Sequence, residues 1–200
     1  MMKWLAILCM ALAPAPPPPQ PGPLDDIQIR GEWLQRLDKI AWTAHRNKAR
    51  YVAIQRQRPG GVPWFVVAGL HERESSSSWR HHLHEGSPLL HRTRYIPRGR
   101  LPSPKDPPYT FEQSAEDALY ILKREDRVNW RSRPAAEDAI ERFNGLGYRN
   151  RGLPSPYLWS GTTRYSRGKY VADGKFSSIV IDKQPGVMAI WKRLAERGML

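Results

Sequence analysis

The sequence predicts a mostly α domain of five or six helices, with room for a small hairpin. Three observations carry that prediction. Apolar residues recur at a period near 3.6 in several windows, the spacing that gives a helix one buried face. Residues that start and stop helices bracket those windows. The chain has 200 residues, 40% of them hydrophobic, with eight Trp and eight Tyr. That suffices for one packed domain and is marginal for two.

Residues 1–13 stand apart from this body. Lys3 is followed by an apolar run ending in Ala11-Leu12-Ala13, the pattern of a secretory signal. The run is shorter than the roughly 20 residues of a membrane span. Pro14 directly after Ala13 is a poor cleavage context, so both a removed signal and a retained membrane tether stay open. Residues 14–24 form a linker, with seven prolines between Pro14 and Pro23; such a stretch is a semi-rigid polyproline spacer. The single domain therefore spans residues 25–200, and the protein is expected to be exported to the periplasm or beyond. The only cysteine, Cys9, lies in the targeting segment. The body thus carries no disulfide or thiol chemistry, and Ala6-Ile7-Leu8 does not resemble a lipoprotein signal.

Within the body, Trp33, Leu34, Leu37, Ile40, Ala41 and Ala44 form a helical stripe, and Tyr51, Val52 and Ile54 a second short apolar set. Arg58-Pro59-Gly60-Gly61 breaks the chain, and Pro63 sits where a helix can begin. Trp64 to Leu70 is apolar almost all round, which reads as a buried central helix; a short buried strand fits the same run. Residues 77–108 are polar, basic and rich in Gly and Pro, a long loop of the kind that carries function. Thr110-Phe111-Glu112-Gln113 has capping-box spacing and opens a helix through Leu122. Ser132-Arg133-Pro134 opens another through Phe143, ended by Asn144-Gly145-Leu146-Gly147. An aromatic-rich loop follows, and a last amphipathic helix covers roughly residues 185–197.

The net charge is +13 and the pI about 10.2, a field that draws a protein to polyanions. The basic residues are scattered, with Arg92, Arg94, Arg98, Arg100, Arg149 and Arg151 in loop-like sequence. Zinc-finger spacing, RNA-recognition motifs and basic heptad helices are absent. The expected partner is an anionic cell envelope, not nucleic acid, and the protein is expected to be a monomer.

Glu74 ends the strongly apolar run. A carboxyl there is partly desolvated, which raises its pKa and suits an acid that must hold a proton near neutral pH. Spacing alone equally fits a surface residue in the charged run Glu72-Arg73-Glu74. Ala68-Gly69-Leu70-His71-Glu72-Arg73-Glu74-Ser75 resembles the helix-end motif of goose-type lysozymes and lytic transglycosylases. About 70 residues on, Glu141-Arg142-Phe143-Asn144-Gly145 resembles their second motif. Leu83-His84-Glu85-Gly86-Ser87-Pro88-Leu89, Ser155-Pro156-Tyr157-Leu158-Trp159-Ser160 and Gly168-Lys169-Tyr170-Val171-Ala172-Asp173-Gly174 are similar to segments of phage and prophage lysozyme-like proteins. The likeness covers roughly residues 60–195.

The resemblance implies a lysozyme-like α+β domain that cuts peptidoglycan at the β-1,4 bond between N-acetylmuramic acid and N-acetylglucosamine, as a muramidase-type endolysin or a lytic transglycosylase. It implies Glu74 as catalytic acid, and Ser75, Phe143, Asn144 and Gly145 beside it. Glu72 is the rival acid, on a different helix face. Where phage-type relatives often carry Asp, this chain reads Glu85-Gly86-Ser87, so a second carboxylate is Glu85 or comes from Asp106, Glu112, Glu116 or Asp117. An inverting hydrolase needs such a group; a transglycosylase does not. Tyr148, Tyr157, Trp159, Tyr165 and Tyr170 suit either sugar stacking or core, with Tyr148, Tyr157 and Trp159 assigned to the groove. His81, His82, His84 and His91 do not form the His-Glu-x-x-His order of zinc peptidases, so neither metal nor cofactor is expected. A non-catalytic wall-binding or nucleic-acid-binding module of degenerate fold is the rival from another class.

Overall fold

The computed structural model describes residues 23–101 and 106–200. The targeting segment and nearly all of the spacer lie outside the described residues. The described chain is mostly helical, with seven α-helices and one two-stranded sheet, one helix more than the sequence predicts at most.

A 3-10 turn at Gly31–Trp33 leads into α1, Leu34–Arg46, which buries Leu37, Ala41 and Ala44. Asn47 separates it from α2, Lys48–Gln55, which buries Tyr51 and Ile54. The central element is a helix, not a strand: α3, Trp64–Ser75, buries every residue from Trp64 to Glu72. Pro63 precedes its first turn, and the Gln55 side-chain carbonyl accepts from the Trp64 N–H at 2.9 Å, satisfying a donor that a helix start leaves free.

The capping box at Thr110 is present in full and starts α4, Phe111–Glu116. The helix does not continue as α but widens into a π-helical stretch, Asp117–Leu122, a form often found at functional sites. Ser132 caps α5, Arg133–Asn144. It stops because Gly145 takes φ 111°, ψ 156°, a backbone state that side chains disfavour. The aromatic loop contains an extra short helix, α6, Pro156–Trp159, and the hairpin of β1, Lys169–Ala172, and β2, Lys175–Ser177. The strands pair antiparallel, Lys169 opposite Ser177, with an irregularity between Tyr170 and Ala172. The last helix, α7, is Val187–Glu196.

One apolar core runs from Leu24 to Met199. Helix α3 lies at its centre, packed on α2 and α7. A side chain at Gly69 would put its Cβ 2.7 Å from Val187, so that glycine permits the close α3–α7 approach. Phe65 and Trp191 stack across it with ring centres 4.8 Å apart. The C-terminal turn of α3 is the one part of the helix that leaves the core, and it carries Arg73 and Glu74.

Candidate active site

Helix α3 ends abruptly. Ser76 and Ser77 both adopt left-handed backbone, φ 51° and 58°, a local strain of the kind that clusters at functional sites. The reversal sends the chain into the 77–101 loop, which turns back at once: the Gly86 N–H donates to the His82 carbonyl at 3.0 Å. Gly86 then rests on the end of α3, where an added Cβ would lie 2.3 Å from the Glu74 carbonyl oxygen. Only glycine fits, and the fit brings Glu85 beside Glu74.

Glu74 is half-buried. Burial pushes its carboxyl pKa from 4.5 up to about 7, because a low-dielectric setting penalises the charged form. The Glu85 carboxyl pushes the same way, whereas the Tyr157 hydrogen bond and the cations of Arg73 and Lys123 pull it down. The Tyr157 hydroxyl donates to Glu74 Oε1 at 2.6 Å. Glu85 Oε1 accepts from the Ser87 hydroxyl, while its buried Oε2 has no hydrogen-bond partner.

Both acids line a cavity of about 510 Å³, closed by Phe143, Asn144 and Gly145 on one side and by Ile96 and Pro97 of the loop on another. A second cavity, about 500 Å³, is lined by Arg73, Tyr148, Tyr157, Lys169 and Tyr170 and again by Asn144 and Gly145. The two meet at the stop of α5. Each has the volume of a small-molecule site, and Asn144 and Gly145 line both.

The structure thus brings together seven of the nine sequence-assigned site residues: Glu74, Glu85, Phe143, Asn144, Gly145, Tyr148 and Tyr157. Two do not join them. Trp159 is 9% exposed, lines neither cavity and lies under the Arg164 guanidinium, 4.4 Å from its ring centre; the short helix α6 turns it into the core. Ser75 donates back to the His71 carbonyl at 3.2 Å, so its hydroxyl finishes the helix and does not orient Glu74. Glu72 lies on another face, buried, accepting from Ser77 Oγ at 2.7 Å, and lines neither cavity. Of the other acids, Glu112 pairs with Arg50, Glu116 with Arg58 and Asp117 with His84 and Arg100. Asp106 is exposed and lines neither cavity.

Two supporting networks escaped the sequence. Arg73 reaches buried Asp182 at 2.9 Å, which also takes Lys169 at 3.1 Å. Its guanidinium lies 4.8 Å from the centre of the Tyr157 ring, fixing the phenol that holds Glu74. On the loop side, His84 Nε2 meets Asp117 Oδ2 at 2.7 Å, and Arg100 grips the same carboxylate. Burial works to raise the Asp117 pKa, but the His84 and Arg100 bonds outweigh it and hold it low. Arg73 stands next to Glu74 in the sequence, yet nothing local marks its partner 109 residues away. Two of the other histidines are engaged too, His81 with Ser78 and His82 with Ser114. Among the described residues no group of three or more His, Cys, Asp or Glu side chains is placed to hold a metal. Likewise, no helix there is long and apolar enough to cross a membrane.

No family model, no curated protein and no solved structure matches the chain.

Proposed function

We propose that this protein is a muramidase that cleaves the glycan strands of peptidoglycan at the N-acetylmuramic acid–N-acetylglucosamine bond. The observation that carries the reading is Glu74: a carboxyl pushed up to about 7, bonded to Tyr157, on the wall of a cavity of about 510 Å³. Such a group keeps its proton at neutral pH and gives it to a glycosidic oxygen as the bond breaks. Glu85 shares the cavity and is the carboxyl that would orient and deprotonate an attacking water. That pairing would supply the second carboxyl a hydrolase uses, which ring closure by the substrate's own hydroxyl does not need. The substrate class rests on the motif resemblance and on the +13 charge, which concentrates the protein on an anionic wall.

The test is digestion of purified peptidoglycan followed by mass spectrometry of the released ends. Reducing muramic ends are expected. Anhydro ends, lighter by one water, would replace hydrolysis with lytic transglycosylation by the same acid. Binding to the insoluble wall without release of fragments would leave a non-catalytic module.

A further inference from the structure

We infer that the strip Ile179-Val180-Ile181, beside the N-terminal approach of the chain, is a docking surface for an anionic lipid membrane. These three consecutive β-branched residues are 74%, 37% and 57% exposed. Single exposed apolar residues are ordinary on a protein surface, but a contiguous group asks for a covering.

The strip is held in place. The next residue, Asp182, turns inward to Arg73 and Lys169. Its N–H donates to Tyr165 Oη at 2.9 Å, and its carbonyl accepts from Ser160 Oγ at 3.1 Å. The Val180 carbonyl accepts from the Gly168 N–H at 2.8 Å. An inward residue anchored this firmly keeps its extended neighbour Ile181 facing out. The apolar side chains are therefore presented by fixed backbone.

Charge selects the occupant. Arg167, next to the Gly168 that bonds Val180, and Lys183 adjoin the strip, and the Arg36 guanidinium reaches the Lys183 carbonyl; all three are exposed and take part in none of the ion pairs among the described residues. Against them stand two exposed acids, Glu32 near Ile181 and Asp173 at the hairpin turn. Exposed apolar residues with cations in excess over acids beside them are the pattern of an interfacial membrane contact. A polar or cationic partner would not need the isoleucines, and a neutral apolar one would not need the cations.

Position agrees with this. Ile181 shares a shallow cavity of about 160 Å³ with Arg30, Trp33 and Gly161. The Arg30 N–H donates to the Gly161 carbonyl at 3.0 Å, and the Gln28 carbonyl accepts from Thr163 N–H at 2.9 Å. Residues 28–30 thus pass along this side of the strip.

The inference does not depend on the glycosidase reading. Its test is hydrogen exchange of the full chain with vesicles of phosphatidylglycerol and phosphatidylcholine, against vesicles of phosphatidylcholine alone. Slowed exchange of the amides at 178–183 is expected with the anionic vesicles only. The double variant Ile179→Ser, Ile181→Ser should lose that protection and bind the vesicles about tenfold less tightly, with an unchanged melting temperature. Equal protection on neutral vesicles, or none on anionic ones, overturns the proposal. So does protection that rises with protein concentration in the absence of lipid, which would assign the strip to a second copy of the chain.

Discussion

Two carboxyl groups in this chain are pushed to about 7 by burial, Glu74 at the end of α3 and Glu125 in the 3-10 turn Glu125–Arg127. Glu125 is the more deeply placed, 3% exposed, with Oε2 lacking any partner. It lines neither of the two large cavities. Glu74 lines one, holds a phenol hydrogen bond and has a second carboxyl beside it. The two acids titrate alike and differ in access. A raised pKa records desolvation; chemistry needs that proton to face a place where a substrate fits.

The comparison breaks most sharply on activity. Glu74→Gln should lower fragment release from peptidoglycan by about a thousandfold, within the range of a lost general acid, and Glu85→Gln by about a hundredfold. Glu125→Gln should stay within about twofold of the parent. Similar losses for Glu74→Gln and Glu125→Gln would remove the distinction drawn from access.

Stability should show the reverse order. Each acid has a folded pKa above its unfolded value of 4.5. Its protonated form therefore favours the fold below about pH 4.5, and that contribution is lost as pH rises through 7. A rise from 4.5 to about 7 corresponds to roughly 3 kcal/mol at high pH. Glu125→Gln should gain up to about that much at pH 8 and little at pH 4.5, read from urea midpoints. Glu74→Gln should gain less, because its carboxyl already accepts from Tyr157 and that bond is weakened by the change to an amide. A pH-independent effect would exclude the titration as its cause.

Tyr157→Phe sharpens the Glu74 side. The phenol hydrogen bond lowers the Glu74 pKa, so its loss should move the alkaline limb of the pH–rate profile upward by about half a pH unit while slowing turnover severalfold. An unmoved limb with slower turnover would give Tyr157 a contact role with substrate and none on the acid. The smallest effect is expected away from both acids. Thr110→Ala removes the α4 cap and should cost about 1 kcal/mol of stability with activity unchanged.

Much of this arrangement was legible before the structure. The apolar run that becomes α3, the capping box at Thr110 and the Gly145 stop are local signals, and the structure keeps all three. The separation of Glu72 from Glu74 was also legible, because residues two apart on a helix cannot share a face. Trp159 was not. An aromatic beside a proline turn suits a groove as well as a core, and the single turn of α6 decides it. The π-helical widening at Asp117 was equally hidden, since Asp117–Leu122 has an ordinary helical pattern, and the partner of Asp117 comes from the distant loop. Local rules fix where the acid sits; the groups that hold it come from far along the chain.

The contact between Gly86 and the Glu74 carbonyl has a mechanical consequence. The helix that carries one acid and the turn that carries the other touch backbone to backbone, one residue from Glu85. The gap between the two carboxyls is thus gauged at a single rivet and not across the width of the molecule. The outer part of the loop, at Ile96 and Pro97, is free to differ in shape or length without resetting that gap. Under the proposed glycosidase reading, the stereochemistry of the cut would be kept while the lip of the cavity is altered.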